Sequence, residues 1–144
     1  MHECERVYAD RLISNTEIQR CIEIIVDVAK RVIDDDQESL FKQPNAWTTF
    51  ATQTMDDSRA YLPIKSMASL KKVLHDQLNE YNEANAIMNL VLFDMAMLHV
   101  VRIARIIGFP QGNALLVGVG GSGKQSLARL ASFICGNTVT QVAV

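Results

Sequence analysis

At 144 residues, 49 % of them apolar, the chain has the length of one ordinary domain and enough apolar material to bury a core. Its net charge of −2 argues against a surface built for non-specific nucleic-acid binding. Cys4, Cys21 and Cys135 are odd in number, far apart and without metal-ligand spacing, so they read as reduced thiols of an intracellular protein, and no secretory leader opens the chain.

Residues 2–12 mix charges with the apolar anchors Val7, Tyr8 and Leu12, which predicts a helical turn or two. Ser14 and Glu17 have capping-box spacing. From there Ile18, Cys21, Ile22, Ile25, Val28, Ala29, Val32 and Ile33 recur at helical spacing and predict a helix that stops near Ile33. Asp34, Asp35 and Asp36 follow; three carboxylates oppose the negative end of a helix dipole, and a solvated turn is favoured over a metal site. Residues 41–63 form the least regular stretch, with Pro44 and Pro63 framing Trp47, Phe50 and Tyr61. No basic residues interleave these rings, so packing under a loop is favoured over stacking on a nucleobase.

Ser66 or Ser69 caps a second helix, with Leu70, Val73, Leu74, Leu78 and Tyr81 on its apolar face and Lys71, Lys72, Asp76 and Glu80 on its wet face. His75 on that helix reads as a surface histidine. After the polar break 82–85, a third helix is expected over 87–107, apolar nearly all round and buried, with His99 a core histidine. Gly108 and Pro110 stop it. Asp94, His99, Arg102 and Arg105 interrupt this segment, whereas a membrane span needs roughly 20 apolar residues with few charges, so no membrane is implied.

The remaining stretch reads as strand, loop, helix and strand. Ala114 to Val117 is a short apolar run that predicts a strand. Gly118-Val119-Gly120-Gly121-Ser122-Gly123-Lys124 then fits G-x-x-x-x-G-K, the phosphate-binding P-loop. Glycines let the backbone turn with φ > 0 and aim successive N–H groups at phosphate oxygens. The helix behind the loop adds its N-terminal N–H groups and positive dipole end, and Lys124 supplies a point charge. Leu127, Leu130, Ala131 and Ile134 line one face of that helix, Gly136 closes it, and 138–144 (TVTQVAV) predicts a second strand. Two glycines and a lysine at this spacing arise by chance on the order of a few times in a hundred in such a chain. The flanking strand and helix weigh against that competing reading, a glycine-rich turn with a solvated lysine.

One position departs from the motif. The residue after Gly-Lys is ordinarily Ser or Thr, whose hydroxyl holds Mg²⁺, and here it is Gln125. Ser126 lies one residue on, about 100° around the helix, and does not replace it. Phosphate binding is expected to persist with Mg²⁺ placement weakened. An acidic residue on a later strand and a transition-state arginine, which an ATPase of this kind needs, are not expected from a chain whose last predicted strand is its end. Two strands alone also leave edges open, which predicts an aggregation-prone isolated chain.

The run Met88 to Gly136, with GVGGSGKQSL at its centre, resembles the start of the fourth AAA+ module of axonemal dynein heavy chains. Residues 69–93 resemble that module's lead-in helices, and residues 2–14 resemble the closing helical segment of the third module. The resemblance covers almost the whole chain and is weakest over residues 42–62. It implies an α/β fold: the truncated start of a P-loop NTPase (AAA+) domain over 63–144, preceded by a helical segment over 1–62, mostly helical overall with two predicted strands. It implies a microtubule motor of cilia and flagella as the parent, located at the axoneme and cytoskeleton. ATP or ADP would be held in a regulatory or structural way, by Gly118 through Ser126 at the phosphates and by the segment containing Asn89, Leu90 and Val91 at the base. Implied partners are the rest of the heavy-chain ring and, through the full-length parent, microtubules and the dynein intermediate and light chains.

Two other functions stay open. One is a small stand-alone P-loop ATPase or kinase. The other is a purely structural module whose glycine loop binds nothing.

Overall fold

The computed structural model describes residues 1–33, 44–51 and 60–142. They fall into two compact units, Met1–Ala46 and Trp47–Val144.

In the first unit, α1 (His2–Tyr8) runs into a 3-10 turn (Ala9–Arg11) and is followed by α2 (Asn15–Val32). The expected capping box at the start of α2 does not form. Ser14 is the N-cap residue, but its side chain makes no capping bond, and only its carbonyl enters the helix, accepting from Ile18 N–H at 2.9 Å. The helix ends where expected, with Ile33 extended at φ −111°, ψ 114°; the aspartate run beyond it lies outside the described residues. Among the described residues of this unit Ala9, Ala29 and Ala46 are the buried apolar ones, small side chains that let the backbones approach. A polar chain ties α1 to the segment at Asn45. His2 Nδ1 donates to the Asn45 carbonyl at 2.9 Å, and Asn45 Nδ2 donates to Glu5 Oε1 at 2.9 Å. Much of the apolar face of α2 lines a groove with α1 of about 900 Å³ that includes Tyr8, Cys21, Ile25, Val28 and Val32.

Among its described residues the second unit has three helices and a two-stranded ladder. Strands β1 (Trp47–Thr48) and β2 (Leu62–Pro63) pair antiparallel, Trp47 opposite Pro63 and Thr48 opposite Leu62. Trp47 packs against Tyr61 with ring centroids 6.0 Å apart, so the irregular stretch does pack its aromatics locally. Helix α3 (Met67–Ala84) opens on a reciprocal cap. Ser66 Oγ accepts from Ser69 N–H and Ser69 Oγ accepts from Ser66 N–H, both at 3.1 Å. Serine here takes the place usually held by Glu or Gln. The expected face of α3 is the buried one, with Leu70, Leu74, Leu78 and Tyr81 inside, while His75 is exposed.

Helix α4 (Asp94–Gly108) corrects the sequence expectation at its start. Residues 87–93 are not helical: α3 ends with Asn85 extended, and the Asn82 side chain takes both backbone groups of Met88. An asparagine that bonds nearby backbone offers an alternative to helix, and the apolar pattern gives no sign of that competition. Helix α4 buries Ala96, Met97, Val100, Val101, Ile103 and Ala104. His99 faces solvent, not the core as expected, because it lies between Met97 and Val100 on the opposite arc. Helix α5 (Lys124–Ile134) packs chiefly on α4 and also on α3. Its expected face is inward, with Leu130 and Ala131 fully buried, and Tyr81 meets Phe133 edge to face at 5.4 Å. Gly136 N–H to Phe133 O and Asn137 N–H to Ser132 O, both 2.9 Å, close α5 with the double bond of a Schellman turn.

The two expected strands are not strands here. Neither residues 114–117 nor residues 138–142 join a ladder among the described residues, whose one sheet is β1–β2. Leu115 and Val117 are 89 % and 86 % exposed, and Val142 is 83 % exposed. The apolar runs were legible, but a strand exists only against a partner, and neither run is paired in a ladder among the described residues.

Leu74 is fully buried at the centre of α3, so Leu74→Ala is expected to cost about 2–5 kcal/mol. Ser66→Ala, which removes half of the reciprocal cap, should cost only about 1 kcal/mol. Urea denaturation followed by circular dichroism measures both, and equal losses would contradict this assignment of core and cap.

Candidate functional site

The glycine loop and α5 meet at Gly123. This residue is the N-cap of α5, with φ +76°, a left-handed conformation that L side chains adopt at a cost. It has no side chain to cap the helix, so the first N–H groups of α5 are left without a side-chain partner and point out of its N-terminal end. Gly121 has φ +77°. Gly118 has no such turn; a Cβ there would stand 3.2 Å from Ser122 Oγ, a tight approach, and in ordinary contact with Lys124 Cδ and Nζ at 3.4 and 3.5 Å, so glycine at this position leaves room for the Ser122 hydroxyl.

Lys124 folds back over the loop. Its ammonium donates to the carbonyls of Gly118 and Val119, each at 2.6 Å, and to Ser122 Oγ at 3.0 Å. The only full charge in the loop is therefore held at its centre by partial charges. An anion would offer the same ammonium a full negative charge in place of these carbonyl and hydroxyl dipoles.

A second group of residues gathers at the first turn of α5. A cavity of about 250 Å³ is lined by Tyr81 and Met88 on one side and by Gln125, Ser126 and Arg129 on the other, with Asn89 among them. The chain between α3 and α4 is thus brought against the helix that carries the loop. Arg129 Nη2 also donates to Gln141 Oε1 at 2.6 Å.

The structure thus joins Gly118, Val119, Ser122 and Lys124 through one ammonium, with Gly120, Gly121 and Gly123 completing the turn, and joins Asn89 to Gln125 and Ser126 through the cavity. Leu90 and Val91 do not line that cavity; Leu90 is half-buried and Val91 is 77 % exposed. Tyr81 and Arg129 were not anticipated. The spacing held a signal for Arg129, which stands three residues after Ser126 and four after Gln125 on one helix face. Nothing local marks Tyr81, whose ring reads as core.

Loop, lysine and helix N-terminus fit the phosphates of a nucleotide, and the donor set needs no further group for that. Gln125 stands where the motif offers a hydroxyl, and among the described residues no three His, Cys, Asp or Glu side chains cluster as ligands. No described helix is long and apolar enough to cross a membrane.

Comparison with known proteins defines the class first. Residues 88–144 match the family described as P-loop containing dynein motor region D4, the stretch that holds both the loop and the Asn89 segment. The whole chain is 51 % identical to part of the dynein beta chain of the flagellar outer arm of Chlamydomonas reinhardtii, 50 % identical to part of the ciliary dynein beta chain of Heliocidaris crassispina, and 48 % identical to part of human dynein axonemal heavy chain 17. The chain belongs to the axonemal dynein heavy-chain family. It spans 3 % of the length of each of these relatives, which by name are proteins of flagella, cilia and axonemes.

Replacing Gly123 by Ala forces a side chain into the left-handed region, with an expected loss of about 1–2 kcal/mol. Gly120→Ala meets open space at ordinary φ and should be nearly neutral. Thermal melts of the two variants check the contrast.

Proposed function

We propose that this chain is a nucleotide-binding segment of an axonemal dynein heavy chain. Residues 1–62 would close the third AAA+ module, and residues 63–144 would open the fourth. The loop Gly118 to Ser126 receives the phosphates of ATP or ADP, and the segment Asn89-Leu90-Val91 receives the base. One observation carries this reading: Gln125 and Ser126, which directly follow the loop's lysine, line a cavity with Asn89 of the link between α3 and α4.

The role is regulatory or structural. Lys124 and the helix N-terminus neutralise phosphate charge, whereas hydrolysis requires a carboxylate to order water and an arginine to meet transition-state charge. Neither is assigned to this chain's own residues. With Gln125 in the hydroxyl's place, Mg²⁺ contributes less to affinity than at an ordinary P-loop. The motor's work on microtubules belongs to the full-length protein at the axoneme, in the company of the rest of the ring and the intermediate and light chains.

Titration of fluorescent ADP into the purified chain, read by anisotropy, tests the reading. Lys124→Ala is expected to weaken binding at least about tenfold, since a charge-assisted contact contributes about 1.5–3 kcal/mol. Unchanged or absent binding would favour the loop as a structural spacer, and steady phosphate release from Mg·ATP would favour a stand-alone ATPase. Gln125→Thr should restore the hydroxyl, so that EDTA lowers ATP affinity more in this variant than in the native chain.

A further inference from the structure

The path of the chain from α3 into the cavity is set by two asparagines. Asn85 ends α3: its N–H donates to the Tyr81 carbonyl at 2.9 Å, and its Nδ2 donates to the same carbonyl at 3.0 Å. Asn82, in the last turn of α3, then fixes the direction of the next segment. Its Oδ1 accepts from Met88 N–H at 2.8 Å, and its Nδ2 donates to the Met88 carbonyl at 3.3 Å. A carboxamide carries the same donor and acceptor pair as a peptide group, so Asn82 does for Met88 what a neighbouring strand would do. With both backbone groups of Met88 engaged, residues 87–93 are withheld from helix, and Asn89 is set against Gln125 and Ser126.

Asn82 itself does not line the cavity, whereas Tyr81 before it and Met88 opposite it do. We propose that Asn82 is the positioning residue for base recognition: it acts through Met88 and Asn89 and governs how strongly the nucleobase, as distinct from the phosphates, contributes to binding. This rests on the reading of the loop as a nucleotide site. The two ends of that site are held by separate means. The phosphate end is organised by Lys124 and the glycines and has no bond to Asn82, so the two contributions can be separated by experiment.

The test compares ADP with inorganic pyrophosphate, which offers the phosphates without the base. Both are titrated calorimetrically into the native chain, Asn82→Ala, Asn82→Asp and Lys124→Ala. Asn82→Ala is expected to weaken ADP by about tenfold, the effect of losing two backbone-fixing hydrogen bonds, and to leave pyrophosphate within about twofold. Asn82→Asp keeps the acceptor for Met88 N–H but loses the donor to its carbonyl. Its ADP-to-pyrophosphate affinity ratio should fall by about threefold, and this variant decides the matter if Asn82→Ala does not fold. Lys124→Ala should weaken both ligands alike. A native affinity ratio in both Asn82 variants would overturn the positioning role while leaving the nucleotide site standing. Native chain that binds neither ADP nor pyrophosphate would overturn the site and the role together.

Discussion

The buried face of α4 is the constraint on which the second unit depends. Ala96, Val100 and Ala104 lie four residues apart along it, and their small size lets neighbouring elements come close. Helix α5 packs most extensively on this helix, while α3 and β1 touch it elsewhere. Because α5 is seated through Leu130 and Ala131, its first turn, some nine ångströms or so nearer the loop at about 1.5 Å per residue, has a fixed direction. The loop needs no contact with the core of its own. Its geometry is inherited from a helix whose far end is packed.

The same packing explains which parts of the fold could be read from sequence. Faces with helical period were legible because burial selects them directly: Leu70, Leu74 and Leu78 on α3 and Leu130 with Ala131 on α5 are inside as their spacing demands. The start of α4 was not legible. Residues 87–93 are as apolar as the helix that follows, and what separates them is a side chain on α3 that captures Met88. Periodicity carries no record of a hydrogen bond made across a turn. The strands failed for a related reason. Residues 114–117 have the composition of a strand, but ladder formation is a property of two segments, and composition describes one.

The candidate site divides along the same line. The loop is continuous in sequence, so its glycines, its lysine and the odd Gln125 could be read at once. The opposite wall comes from the link between α3 and α4, about 35 residues away. Its placement near Asn89 followed from family resemblance and not from any pattern in the residues. Tyr81 and Arg129 complete the cavity because α3 and α5 both pack in the same unit, a tertiary fact. Gln125 shows the limit of motif reading in the other direction. It breaks the general pattern, yet it sits within the stretch that matches the dynein motor region family.

The folded-back lysine has one more consequence. Two carbonyls and a hydroxyl of the loop already coordinate the Lys124 ammonium, which makes the loop a ligand for its own cation. A phosphate bound at this loop, as proposed, would not meet a bare charge. It would displace an internal competitor, and its affinity would be the difference between two sets of hydrogen bonds to the same ammonium. On its departure the same carbonyls would again accept from the ammonium. Exchange at such a loop would be a swap of hydrogen-bond acceptors around one ammonium.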